Sequence, residues 1–362
     1  MLPNIPDWES SKQRFAALWE RKEADRSTVF IKVLKDPAQP LVYPDCPPDE
    51  IFARSITDEA FMYENIRQCI DKLYYAGDAF PMINMYLGTG GHCGFTKNYR
   101  YTITDNSLWF DPVIEDIEND RIAFDPDSEL LQTVRRIIAY MKPRSRGDFF
   151  LSNTDNCSSL DALASLRGSA ELLLDMLESP EAVHEQLAVL QDILHRTEDE
   201  FQPELMAMDD GGTCTEWMGL WCPGRHHQLQ CDLSVMISPD MFAEFAMPEL
   251  EENAAKFGRT VYHLDGQEQI RHLDMILSIP GIDLIQWTPV AGQPETSTFV
   301  EVLKRIQKAG KGLVLMPHIR ELSKLLDELD PVGVHYIPHG INTRQEADEA
   351  VALIAKRGAR RH

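Results

Sequence analysis

From Thr28 to the end of the chain, short runs rich in β-branched and aromatic residues alternate with stretches of helical periodicity, a pattern few folds can accommodate. Eight runs read as strands: Val29–Leu34, Phe80–Leu87, Asp148–Asn153, a region near Leu205–Trp217, Thr260–Leu264, Ile282–Trp287, Gly312–Met316 and Val334–Pro338. The stretches between them carry helix punctuation. Ser179 and Ser238 each precede a proline in the first-turn position, Gly258 and Gly310 stand as stops, and Thr343 with Glu346 forms a capping-box pattern. Ile270, Leu273 and Leu277 recur at helical spacing, as do Phe299, Val302, Leu303 and Ile306, giving apolar faces suited to covering a parallel sheet. The order predicts an α/β protein of the (β/α)8 TIM-barrel type. An open doubly wound sheet would alternate in the same way, but no glycine-rich phosphate loop of the G-x-G-x-x-G or G-x-x-x-x-G-K type stands at a strand-to-helix turn. Two segments depart from the simple unit: Asn98–Asp111 alternates like a hairpin, and Met208–Asp232 is long, with Gly and Trp; both are expected to overhang the barrel mouth.

At 362 residues, 43% hydrophobic, the chain could form one large α/β domain or two smaller ones. It shows no repeat or low-complexity tract, and Pro37–Pro48 reads as an extended loop, so one barrel domain over 28–362 is expected after an N-terminal helical segment over 1–27. With 58 acidic against 35 basic residues the net charge is -23, which repels phosphate backbones and anionic headgroups and counts against nucleic-acid and membrane partners. The first residues carry Trp8, Glu9, Lys12 and Arg14 where a leader would hold a basic end and an apolar run, and no later stretch approaches ~20 apolar residues; a cytoplasmic protein is expected. Seven scattered cysteines (Cys46, Cys69, Cys93, Cys157, Cys214, Cys222, Cys231) read as reduced thiols. The acidic runs Glu249–Glu252 and Thr197–Glu200 read as solvated helix faces. A homodimer is compatible with all of this.

In a barrel, polar residues at the carboxyl ends of strands point toward the ligand. The second strand is followed by Asn84 and the run Gly88-Thr89-Gly90-Gly91-His92, the third by Asn153-Thr154-Asp155-Asn156, and the fourth by Asp209-Asp210-Gly211-Gly212 and then Glu216-Trp217. The fifth runs into His263-Leu264-Asp265-Gly266, where alternation places His263 and Asp265 on one face, able to share a proton, a substrate or a metal. The competing readings are a buried, satisfied histidine and an aspartate that only forms a turn before glycine. The sixth strand exits as Gln286-Trp287 with Gln293 beyond it, an aromatic surface with two amides suited to a polar ligand, unless Trp287 is plain core. The eighth presents His339.

Two histidines and a carboxylate from different strands could act as acid and base or hold zinc or another divalent metal, and the residues do not choose between these. Asp232, after Cys231, stands between a ligand-facing strand end and a turn former. Cys222, His226, His227 and Cys231 have ligand-like spacing, but they lack a C-x-x-C pair and sit in a Pro- and Arg-containing loop, against a closed zinc site.

Taken together, Tyr75-Ala76-Gly77-Asp78-Ala79, Leu166-Arg167-Gly168 with Met176 to Val183, Met236-Ile237-Ser238-Pro239-Asp240-Met241-Phe242, Tyr262-His263-Leu264-Asp265-Gly266 and His339-Gly340 resemble the uroporphyrinogen decarboxylase and corrinoid-dependent methyltransferase superfamily, from about Thr28 to the end. The resemblance implies a (β/α)8 barrel. Porphyrinogen decarboxylases carry arginines at the first strand and an Asp at the exit of the second; here stand Val29-Phe30-Ile31-Lys32-Val33-Leu34 and, near Asn84, no acid, which argues against that decarboxylation. The methyltransferases bind zinc with a His-x-Cys and a late Cys. Here Asp265 replaces the first Cys, and His339 or a neighbour stands near the late one, a harder site suited to oxygen ligands. The resemblance therefore implies a methyltransferase-like enzyme acting on a small polar, O- or N-methylated substrate, with a corrinoid protein as methyl acceptor. Its alternatives are a lyase or decarboxylase of a small carboxylated or sugar-like substrate, and a ligand-binding barrel without chemistry. The expected catalytic residues are His263, Asp265, His339, Glu216 and Asp232. The expected substrate contacts are Asn84, Asp155, Trp217, Gln286, Trp287 and Gln293, and the expected metal ligands His263, Asp265 and His339.

Overall fold

The computed structural model describes residues 7–358 apart from 44, 105 and 157. Its strands in chain order are β1 (Thr28–Leu34), β2 (Leu73–Gly77), β3 (Met82–Met85), β4 (Arg100–Ile103), β5 (Leu108–Asp111), β6 (Phe150–Thr154), β7 (Gly212–Thr215), β8 (Leu220–Pro223), β9 (His227–Leu229), β10 (Thr260–Asp265), β11 (Ile282–Thr288), β12 (Gly312–Leu315) and β13 (Val334–Tyr336). They make a seven-stranded sheet, β2-β1-β13-β12-β11-β10-β9, and a four-stranded sheet, β3-β6-β7-β8. The ladders from β9 round to β1 are parallel, as are β3-β6 and β6-β7. Among the described strands, the antiparallel ladders are β2 on β1, β8 on β7 and the separate β4-β5 hairpin, which forms where the sequence alternates like one. The chain is thus mixed α/β with parallel sheets, and among the described residues no ladder joins the two sheets into a ring.

Strand alternation sorts the side chains into two cores. Val29, Ile31 and Val33 of β1, Ile83 and Met85 of β3, Leu151 of β6, Tyr262 and Leu264 of β10, and Ile285 and Trp287 of β11 pack in the large cluster shared with the helices. The opposite faces, Phe30, Met82, Phe150, Cys214, Val261, Leu284 and Val314, meet in a second cluster drawn from both sheets. Helix α1 (Trp8–Glu20) covers this inner core: Trp8 meets Phe80, Phe150 and Trp221 edge-on at 5.2, 5.4 and 5.5 Å, and Phe15 stands 5.8 Å from His335. At about 1.5–3 kcal/mol for each large apolar side chain buried, Trp8, Phe15, Leu18 and Trp19 anchor the helix firmly. The fully buried Asp78 ties it down further, accepting from Ser11 Oγ (2.9 Å), Arg14 Nη1 (3.0 Å), Arg26 Nη2 (3.1 Å) and Val29 N (3.0 Å).

Several expectations need correction. Leu205–Met208 is the last turn of the helix Pro180–Met208, burying Leu205 and Met208 at helical spacing, and the strand begins only at Gly212. The sequence shows no break between the helix Glu59–Lys72 and β2, which lies antiparallel along β1. The acidic runs are not wholly solvated. Glu198 is 2% exposed and accepts from Asn156 Nδ2 (2.7 Å) and Gln202 Nε2 (2.8 Å); Glu249 accepts from Ser159 N (2.8 Å) and Oγ (3.0 Å). Burial lifts both carboxyls to about 7. Cys222, His226, His227 and Cys231 are buried core side chains: His226 lies between Thr213 Oγ1 (2.6 Å) and Thr215 Oγ1 (2.8 Å), His227 stacks on Phe257 at 4.3 Å, and burial pulls both imidazoles down to about 3. Cys46, Cys69, Cys93, Cys214, Cys222 and Cys231 are free thiols, and Cys157 lies outside the described residues. Among the described residues no helix is long and apolar enough to cross a membrane.

Candidate metal centre

Two residues beyond Phe30, Met82, Phe150, Cys214, Val261 and Leu284 the chain carries Lys32, Asn84, Ser152, Glu216, His263 and Gln286, so polar groups follow the inner core toward the strands' carboxyl ends. His263 and Gln286 are register partners across β10 and β11, and His263 Nδ1 forms a short hydrogen bond with Gln286 Oε1. Gln286 Nε2 in turn donates to Thr288 Oγ1. An amide oxygen only accepts, so Nδ1 carries the proton and Nε2 keeps its lone pair. That Nε2 lies 4.0 Å from Asp265 Oδ1. Burial lowers the affinity of His263 for a second proton, leaving the ring a neutral ligand.

The Trp217 ring meets His263 edge-on at 5.2 Å, and its Nε1 donates to Gln228 Oε1 (2.9 Å). Gln228 Nε2 donates to Asp155 Oδ1 (3.1 Å) and Gln230 Oε1 (2.7 Å), and Gln230 Nε2 donates to Asp232 Oδ2 (3.1 Å). Two glutamine amides thus span the space between two acids. Burial raises Asp155 to about 6 against the hydrogen bond from Gln228.

Asp232 opens a tight helical turn, Asp232–Met236, whose first two amides are capped by a neighbouring acid: Asp232 N and Leu233 N donate to Asp161 Oδ2 and Oδ1, each at 2.8 Å. Burial, then the charges of Asp161, Asp265 and Asp155, raise the Asp232 carboxyl to about 8. Among the described residues its buried Oδ1 has no hydrogen-bond partner, a costly arrangement that a cation or a proton relieves. Asp232, His263 and Asp265 offer one ligand atom each, all within 4.8 Å of one another. This oxygen and imidazole set fits a divalent cation.

The expected residues fall into two groups. His263, Asp265 and Asp232 converge, with Trp217, Gln286 and Asp155 beside them. Glu216 pairs with Lys32 at 2.7 Å, and Asn84, which accepts from Ser152 Oγ (3.4 Å), lines a cavity of about 440 Å3 with them. His339 does not join the ligand group: it lies exposed beyond β13, its ring 5.1 Å from that of His318. Trp287 offers no ligand surface, being fully buried against Phe299 at 4.8 Å on the face opposite Gln286. Gln293 latches the turn after β10, accepting from Gln267 N (3.1 Å) and donating to Glu268 (2.7 Å). Lys32, Asp161, Gln228 and Gln230 went unread. The alternation of β1 points to Lys32, whereas nothing in the helix Ser159–Arg167 marks Asp161 as a cap for a distant turn.

No protein-family model and no curated protein sequence matches the chain. Among solved structures, a methyltransferase from Methanosarcina mazei superposes with a TM-score of 0.57, covering 96% of this chain and 98% of its own at 12% identity. The likeness is one of fold.

Proposed function

We propose that the chain is a methyltransferase-like enzyme that takes a methyl group from a small polar, O- or N-methylated compound, with a divalent cation such as zinc held by Asp232, His263 and Asp265. The observation that carries this is the convergence of those three ligand atoms around a buried Asp232 oxygen that has no partner among the described residues. The fold shared with a methyltransferase supports it. We propose also that the two sheets are arcs of one (β/α)8 barrel over 28–362, resting on the 1–27 segment. The inner cluster draws on both sheets, and between them Asn153 Nδ2 donates to the His226 carbonyl at 3.1 Å.

For an O-methyl donor, the methyl–oxygen bond would break with its electron pair left on oxygen, and a reduced corrinoid of a partner protein would supply the electron pair that accepts the methyl group. A divalent cation at the centre would supply Lewis acidity toward that oxygen. The protein's own part is orientation and exclusion of water: Gln286 fixes the His263 tautomer, Asp161 positions Asp232, and Trp217 walls off His263. Incubation with cob(I)alamin and methylated donors should give the visible spectrum of methylcobalamin, lost in His263→Ala; no cobalamin methylation with any donor refutes the proposal. The raised carboxyls of Asp155 and Asp232 favour one second reading, acid–base cleavage of a small carboxylated or sugar-like substrate, marked by carbon dioxide or an elimination product without corrinoid.

A further inference from the structure

Cavities of about 440 and 330 Å3 share two charged residues, Lys32 and Glu216. Among the described residues lining either, Lys32 is the single lysine or arginine. Its Nζ donates to Glu216 Oε1 at 2.7 Å, and an ammonium has three donors, so further donors remain for a ligand. The pair is 36% and 21% exposed, open enough to rearrange when a ligand enters. The other described residues lining the 440 Å3 space are uncharged: Phe52, Ile56 and Met62 give apolar wall, and Asn65 and Asn84 give amides. Glu216 balances Lys32 at rest in a chain of net charge -23, so a ligand anion is held only by drawing Nζ donors away from that carboxylate. Trp217, next to Glu216, lines the 330 Å3 cavity and stands edge-on to His263 at 5.2 Å, so one indole forms a wall of this space and packs on a residue of the metal centre.

We propose that Lys32 anchors a small organic carboxylate whose apolar body lies against Phe52, Ile56 and Met62. This names the substrate class of the strand-end site and so rests on the reading of that site given above. The ligand's carboxylate takes the free Nζ donors beside Glu216, and its body fills the 440 Å3 space.

Three probes of one shape and different charge test this on the full chain by titration calorimetry: 4-methoxybenzoate, 4-methoxybenzamide and 4-methoxybenzylamine. The wild type should bind the acid at least about tenfold more tightly than the amide, the scale of one charge-assisted hydrogen bond. Lys32→Gln should level the two, and Lys32→Arg should retain most of the preference. Equal affinity for acid and amide, tighter binding of the amine, no binding of the acid, or a preference that survives Lys32→Gln each overturns the proposal. Cobalt(II) titration of the same preparations reads the metal centre separately: wild type that takes no cobalt but still prefers the acid sinks the metal reading alone. Should Lys32→Gln fail to fold, the wild-type comparison and Lys32→Arg decide.

Discussion

Filling the Asp232, His263 and Asp265 centre with a divalent cation should displace close to one proton at neutral pH. The Asp232 carboxyl, held at about 8 by burial and by the acids around it, is about nine-tenths protonated at pH 7. His263 gives up none, because burial already keeps its ring neutral. A proton and a cation compete for the same oxygen, so metal affinity should rise about tenfold, or 1.36 kcal/mol, per pH unit up to about pH 8 and flatten above it. The metal-free protein shows the same linkage in its stability. A folded pKa raised above an unfolded value of about 3.9 means that the contribution is fully present below about pH 4 and is lost as pH rises through 8. Zinc titrations between about pH 6 and pH 8, in buffers of different ionisation heat, count the proton directly. Asp232→Asn, which carries no exchangeable acid, should bind more weakly with the slope abolished. An affinity independent of pH in the wild type, or a slope unchanged in Asp232→Asn, refutes the reasoning.

Three further outcomes concern the scaffold. Asp78→Asn leaves Arg14 and Arg26 facing a buried amide and should cost about 3–5 kcal/mol, read as a lower urea midpoint. Glu198 is raised from 4.5 to about 7, so its contribution is intact below about pH 4.5 and fades up to pH 7; Glu198→Gln should flatten stability over that window, with a gain of up to about 3 kcal/mol at pH 8. Denaturation curves at both ends of the window check it. In Gly212→Ala the new Cβ would clash with the Cys222 carbonyl oxygen, so strand β7 must shift; a loss of at least about 1–3 kcal/mol is expected in thermal melts.

Much of the parallel framework was legible because strand runs and capped helices differ in period, and β1, β10, β11 and β12 lie within a residue or so of their expected bounds. His263 and Asp265 were legible for the same reason, since alternation alone puts them on one face. The same rule carried to β11 would have separated Trp287 from Gln286, and carried to β1 it would have turned Lys32 toward the interior. The third ligand was harder. Asp232 and His339 both follow strand ends, and only the packing of the Asp232–Met236 turn on Asp161 decides which reaches His263. Glu198 and Glu249 look like surface acids because their partners, Asn156 and Ser159, lie 42 and 90 residues away in sequence.

The central claim, a divalent cation bound by Asp232, His263 and Asp265, is tested most directly by elemental analysis of the purified protein after zinc loading and gel filtration, with His263→Ala alongside. Close to one equivalent of metal in the wild type and almost none in the variant is the predicted result; no retained metal in the wild type, or the same amount in both, contradicts it.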